Sequence, residues 1–461
     1  MVGDIKVKMN TILERLIIRL QEENQELKAI NKRLVEENQL FKQEIDKLKE
    51  RLGLNSSNSS LPPSRDIYKQ KKENRPSSSN NPGGQPGHRA YQFKALPANQ
   101  IIDLLPTKCS CGHEVEVIEQ YTREQKIEIP PVQPYVKEYR RYHGRCKRCS
   151  KKVVAPLPEG VSKDMLGPHA KAIISSLNGH FHNSRREVQE ILEEIFHLPI
   201  SLGLVNNTAK RVKEKLTKSY QAIERSIQAS PYLHIDETGH KSHGKRGWAW
   251  MMTNQEASLL KLSPSRGKQV LIDSLGSYSG YVISDRYAVY NHFQEEKQQI
   301  CWSHLLRDYE RFAQSLNSKL SEQGRRLVTI AKEVFCLKKA INKKQIELPY
   351  FLRRIKKLKK EIRKVFKFIL RIPDIPQAHR VVKRMEKSFE MMWLFVKKQG
   401  IAMTNNLAER QIRKYVVYRK KLLFTWSEWG NQFVERMLSL FLTCRLNNSS
   451  AFSQLQLAIG S

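Results

Sequence analysis

The sequence predicts a multidomain α+β chain: an N-terminal coiled coil, a small zinc ribbon, a helical region, and a mixed α/β core interrupted by an all-α insertion. Three observations predict it. Apolar residues recur at every seventh position near the N-terminus, two close cysteine pairs follow, and short β-rich runs then give way to a long helical and basic stretch. At 461 residues, and with about 100 to 200 residues per domain, three or so folding units are expected.

Residues 1–53 read as a leucine zipper. Leu13, Leu20, Leu27, Leu34, Phe41 and Leu48 occupy d, and Ile17, Asn24, Asn31, Asn38, Ile45 and Leu52 occupy a. Polar Asn at a fixes register and oligomer state at a cost in stability, so a homodimer or higher assembly through this segment is expected. Residues 54–95 are rich in Asn, Ser, Pro, Gly and Lys, as in Ser77-Ser78-Ser79-Asn80-Asn81-Pro82-Gly83-Gly84. Such a composition buries too little apolar surface to offset chain entropy and reads as a flexible basic linker.

Residues 96–160 carry Cys109-Ser110-Cys111 and Cys146-Lys147-Arg148-Cys149. Two thiol pairs on knuckle turns can close one tetrahedral Cys₄ site, with structural Zn²⁺ replacing a missing core. The first pair is one residue tighter than C-x-x-C, and His113 or His143 is an alternative ligand. Lys147 and Arg148 belong to a basic rim suited to DNA phosphates.

Residues 161–229 read as helices over 168–177 and 185–196, then one long helix opened by Ser201 as N-cap and running to Ile227. The break His197-Leu198-Pro199-Ile200 leaves room for a DNA-binding helix-turn-helix or a packing collar. Strands are expected near 231–236, 247–253, 257–262, 280–285 and 298–302, with a helical stretch around 267–275. Three meandering strands, a helix, a strand and a strand-helix unit follow the order of an RNase H-like fold. Residues 230–313 would form its first part, 314–400 a basic all-α insertion, and 401–461 its C-terminal part.

Three acids stand where core packing does not ask for them: Asp236 in H-I-D-E-T, Asp285 in I-S-D-R-Y and Glu409 in N-N-L-A-E-R. Each Asp ends a short apolar run, so it reads as a strand opening into a turn. Hard divalent ions take oxygen ligands, and two ions on shared carboxylates serve phosphoryl transfer. Asp236, Asp285 and Glu409 are therefore the candidate catalytic residues and ligands for two Mg²⁺ or Mn²⁺ ions. Taken singly, each Asp is an ordinary cap or turn residue, and Glu409 with Arg413 an i, i+4 surface pair. Glu237 ranks below them because strand alternation points it to the opposite face.

Lys+Arg total 81 against Asp+Glu 46, a formal net charge of +35. That field attracts polyanions, DNA first, although RNA or an anionic surface fits charge alone. No apolar run is long enough to span a bilayer, no membrane partner is expected, and seven cysteines without a disulfide pattern suit a reducing, cytoplasmic setting.

The words around the acids resemble the IS66-type transposases with a DDE catalytic core. The resemblance rests on H-I-D-E-T (234–238), G-W-A-W (247–250), D-R-Y-A-V-Y-N (285–291), C-W-S-H (301–304), N-N-L-A-E-R-Q-I-R (405–413) and R-K-K-L-L-F (419–424). Upstream, N-S-S-N-S-S-L-P-P-S-R-D (55–66) and G-G-Q-P-G-H (83–88) extend it over nearly the whole chain. It implies an RNase H-like core that cuts the ends of a mobile element and joins them to target DNA in a nucleoid-associated complex. Accessory proteins from the same element are further candidate partners. His304, Asn405 and Asn406 become candidates for orienting water, phosphate or the carboxylates, and Arg410, Arg413 and Arg419 for phosphate contact. Trp426 and Trp429 are candidates for stacking on a flipped base or for ordinary packing. Thr404 and Lys421 depart from the family pattern, where Asp and Asn are commoner. Two rivals remain: a dimeric DNA-binding regulator with an inert core, and a nuclease that cuts without joining.

Overall fold

The computed structural model describes residues 19–41, 44–45, 95–107 and 109–460. Most of the expected linker and both ends of the expected zipper lie outside them. Contacts divide the chain into two compact units, Met1–Lys69 with Leu216–Ser453, and Gln70–Lys215 with Gln454–Ser461.

In the second unit, β1 (His143–Arg145) and β2 (Lys152–Val154) pair antiparallel. The turn between them holds Cys146 and Cys149. Next come α2 (Pro168–Gly179), α3 (Arg185–Glu194) and α4 (Leu202–Lys215). Pro168 opens α2, and a reciprocal capping box between Ser184 and Glu187 starts α3. Ile174, Val188, Leu192 and Val205 from all three are buried in one small core. The long helix expected from 201 to 227 is two helices: α4 stops at Lys215, and α5 (Thr217–Gln228) starts after Leu216. Apolar periodicity continues through the break, which is why the pattern alone concealed it.

In the first unit, residues 19–41 form α1, on which Leu20, Leu27, Leu34 and Phe41 are each about half exposed or more. Five strands follow: β3 (Tyr232–Ser242), β4 (Lys245–Thr253), β5 (Ser258–Ser263), β6 (Tyr281–Ser284) and β7 (Gln298–Ile300), with α6 (Gln269–Leu275) between β5 and β6. The sheet order is β5-β4-β3-β6-β7. β3, β4 and β5 are antiparallel neighbours, whereas β6 and β7 run parallel to β3. A two-residue loop, His243-Gly244, joins β3 to β4 with both residues left-handed, the twist a tight hairpin needs.

β3 is longer than expected. It runs past Asp236 to Ser242, paired with β4 from His234 to its end but with β6 only from Tyr232 to His234. Asp236 therefore lies within a strand, where one neighbour stops, and not at a strand end. The polar residues after Asp236 look like a turn in the sequence, but pairing with β4 holds them extended.

Alternation assigns the two faces. Leu233 and Ile235 join Trp250, Met252, Leu259, Leu271 and Val282 in one core. On the other face, His234 and His240 bond to Asn405 and Tyr415. These residues belong to the start and body of α12 (Asn406–Lys421).

The edge strand β5 is covered by α13 (Glu428–Leu446) in an unusual way. Glu435, Ser439 and Thr443 accept the backbone N–H groups of Leu262, Leu260 and Ser258 at 2.5, 2.9 and 3.1 Å. Four residues of helix rise about 6 Å, nearly matching two residues of strand, so one polar row satisfies alternate donors along an otherwise open edge. Burial pushes the Glu435 carboxyl up to about 7, opposed by the Leu262 N–H and Lys261. Because this is above its value in the unfolded chain, the stabilising protonated state is fully present at low pH. Stability then falls as pH rises from the ordinary glutamate range to about 7. Glu435→Gln keeps an acceptor for Leu262 and removes that slope, raising stability at pH 8 on the order of 2 kcal/mol. Melting temperatures at pH 5 and 8 measure it: the wild type loses stability between them, and the variant does not.

The insertion comprises α8 (Ser318–Asn342), α9 (Leu348–Ile369), α10 (Pro376–Lys387) and the short α11 (Leu394–Lys397), after α7 (Trp302–Ala313). On α9, Phe351, Ile355, Leu358, Ile362, Phe366 and Ile369 are buried, while Arg353, Lys356, Lys357, Lys360, Arg363 and Lys364 are exposed. Trp302 and Trp393 meet edge to face at 4.9 Å, and the Trp302 indole N–H donates to the Met392 carbonyl at 2.7 Å. Gly324 lets α8 cross the end of α7, since a Cβ there would collide with the backbone of Phe312 and Ala313. Backbone cannot rotate aside, so Gly324→Ala should lower stability by about 3 kcal/mol, read from the denaturant midpoint.

Candidate active site

β3 and β6 share a parallel register whose last rung is His234 against Ile283. Asp236 and Asp285 each lie two residues beyond that rung, so the register sets the two acids side by side where β6 ends. Adjacent strands are about 4.8 Å apart, within reach of one shared ion. Glu409 comes from the first turn of α12, on the face of β3 toward which Asp236 points.

The electrostatics agree with this grouping. Burial pushes the Asp236 carboxyl well above the usual carboxylate range, and repulsion from Glu237, Asp285 and Glu409 adds to it. Burial and Glu237 push Asp285 up to about 6, against the Tyr287 N–H, Arg266 and Arg286. The Asp285 carboxylate accepts that N–H at 2.8 Å, so the acid also makes the local turn that a bland reading assigns to it.

Glu409 does not pair with Arg413 among the described residues. Its carboxylate lies 3.7 Å from His304 Nδ1 and 3.7 Å from Arg307, while Arg413 is exposed. Glu409 Oε1 and His304 Nδ1 are both buried without a hydrogen-bond partner. Burial, then Arg307 and Arg286, lowers the His304 pKa to about 4, so its ring is neutral near pH 7. Carboxylate oxygens, one of them orphaned, are the donors a hard divalent cation takes, and Asp236 feels the charge of both other acids, but the three carboxylates do not form one close group among the described residues. The group that does lie within 4.8 Å of one another is Cys301 Sγ, His304 and Glu409. Burial holds the Cys301 thiol above its usual range, and its sulfur already accepts the Asn405 N–H at 3.1 Å.

Asn405 ties the site together. Fully buried, it donates through Nδ2 to the Ile235 carbonyl at 2.7 Å, and its Oδ1 lies 3.2 Å from His234 Nδ1. With the Cys301 contact, one side chain and its own N–H fix the starts of α12 and α7 against β3, one residue before Asp236. Asn406 accepts a bond from Ser303 Oγ at 3.3 Å.

Glu237 has other partners. Tyr290 donates to it at 2.5 Å and Arg266 at 2.6 Å. The Arg266 guanidinium lies 4.3 Å from the Trp248 ring and 3.8 Å from that of Tyr287. These groups, with Cys301 and Arg307, escaped the sequence reading. The i, i+3 spacing of Cys301, His304 and Arg307 is the signal that would have found the latter two.

Arg410 and Arg413 are exposed along α12. Arg419 is half-buried and donates to the Gly239 carbonyl, so any phosphate role would be shared with clasping α12 to β3. In the ribbon, Lys147 and Arg148 are exposed. Backbone N–H groups lower the Cys109 and Cys146 thiols, chiefly those of Cys111 and Cys149 respectively, which favours the thiolate that zinc binds. The four sulfurs do not form one close group. Among the described residues, no helix is long and apolar enough to cross a membrane.

Residues 165–433 match the transposase IS66 family, and residues 106–150 match the zinc-finger binding domain of transposase IS66. Residues 17–94 match a family of unknown function (DUF6444). No curated protein matches the chain. The first match spans more than half of the sequence and includes all three acids, so the chain belongs to the IS66 transposase family.

Proposed function

We propose that the protein cuts the ends of its mobile element and joins them to target DNA, with Asp236, Asp285 and Glu409 as ligands for two Mg²⁺ or Mn²⁺ ions. The single observation behind this is the β3–β6 register, which brings Asp236 and Asp285 level while α12 offers Glu409 with an unsatisfied buried oxygen. Bound divalent ions would supply activation of the attacking oxygen and stabilisation of the leaving one. The chain does the positioning. Asn405 sets the distance between β3 and α12, neutral His304 accepts or passes a proton beside Glu409, and exposed Arg410 and Arg413 hold phosphates next to the third acid. The sheet order β5-β4-β3-β6-β7 supports reading this part as an RNase H-like core, with the helices after α7 inserted before the third acid.

Outside the core, the ribbon would close on structural Zn²⁺ through Cys109, Cys111, Cys146 and Cys149, with α2 to α4 adding a DNA-binding region. The exposed heptad stripe of α1 suits a parallel coiled-coil homodimer. Oligonucleotides carrying the element's ends, incubated with protein and Mg²⁺ or Mn²⁺, test the reading. Joined product is expected. Binding without cutting would make the protein a regulator, and cutting without joining a nuclease.

A further inference from the structure

The loop between α12 and α13 is built to project two large apolar side chains into solvent. Leu423 and Trp426 are each 70% exposed, yet the segment is firmly anchored. Between them Thr425 is buried: its carbonyl accepts the His243 N–H at 3.2 Å, and its hydroxyl bonds Asn431 Oδ1 at 2.5 Å. Leu423 and Phe424 both adopt left-handed backbone, φ 52 and 75°. Non-glycine residues pay steric strain there, and strain kept in a pinned loop marks a conformation held for use.

The surroundings are cationic. Lys241, Lys245 and Arg246 are exposed on the β3–β4 hairpin that pins the loop, and Lys420 and Lys421 are exposed just before it. From Glu409 an exposed stripe runs along α12 through Arg410, Arg413 and Lys420. Twelve residues of helix separate Glu409 from Lys421, about 18 Å. That distance corresponds to roughly five base pairs of duplex.

We infer that Leu423 and Trp426 form a wedge that stacks on an unpaired or unstacked DNA base about five base pairs from the scissile phosphate. The cationic stripe carries the backbone from the acids to the wedge. An aromatic face accepts any base, and insertion of apolar side chains opens base steps. Thr425 fixes the wedge before DNA arrives, so little ordering entropy is lost on binding. The inference rests on DNA as substrate but not on metal-dependent cutting.

The test uses the full chain in EDTA, with a fluorescent 30-base-pair duplex and the same duplex carrying a central three-nucleotide mismatch bubble, read by anisotropy. Wild type should prefer the bubble by about tenfold, the scale of one aromatic–base stack. Trp426→Ala should lose that preference while keeping duplex affinity, its salt dependence and its melting temperature. Trp426→Phe should retain most of the preference, and Leu316→Ala, equally exposed but on the insertion, should change nothing. Equal binding of both DNAs by wild type, or an unaltered preference in Trp426→Ala, overturns the wedge. A changed oligomeric state in Trp426→Ala with unchanged DNA binding overturns it too, by assigning the patch to a protein contact. Because no cutting is measured, an inert metal site would leave these outcomes intact.

Discussion

Asp236→Asn and Asp285→Asn each reduce Mg²⁺-dependent cutting of an element end by more than about a hundredfold, beyond what loss of an outer partner of a metal ligand costs. DNA binding persists in both variants, since the cations that hold phosphate are elsewhere. Stability separates a ligand from a merely structural acid. In metal-free protein, burial and the neighbouring carboxylates disfavour a charged Asp236, so the neutral amide should raise the melting temperature. Mg²⁺ should raise it in wild type, because a ligand bound only by the folded state stabilises that state, and should do little in Asp236→Asn. A structural acid would behave oppositely, with a destabilised variant and no response to the metal in either protein.

Asn405→Ala should lower both stability and rate. Truncation strands the Ile235 carbonyl and the His234 ring nitrogen in a buried setting. At about 1 to 3 kcal/mol for each of the two unsatisfied groups, the loss is about 2 to 6 kcal/mol. The same change frees α12 from β3, and a displacement of about 1 Å of Glu409 suffices for a hundredfold loss of rate. Unlike Asp236→Asn, the variant should still gain stability from Mg²⁺, at higher metal concentration. Asn405→Asp should be no better. It keeps the volume but loses the Nδ2 donor and adds a carboxylate beside the acids. Thermal melts with and without Mg²⁺, beside single-turnover cutting, resolve all three proteins.

The sheet was legible because its strands carry short apolar runs near turn residues, and the boundaries of β4 to β7 fall close to those expected. The extension of β3 past Asp236 was not, because Glu237 to Ser242 are polar and held straight by β4. The break at Leu216 was hidden because the residues either side keep one apolar face. Of the site, the acids could be picked out as residues, but where they lie relative to one another depends on register and on the path of α12, which no local pattern encodes. Asn405 could be singled out as a supporting residue, but its tie to β3 through His234 and Ile235 joins positions about 170 residues apart, which no local pattern shows. The Glu435, Ser439 and Thr443 row was readable in principle, as polar residues four apart in an apolar helix.

The most direct test of the metal site is anomalous diffraction from crystals soaked in Mn²⁺. Two peaks shared among Asp236, Asp285 and Glu409 are the predicted result. Density confined to Cys301 and His304, or none near the two aspartates, would contradict it.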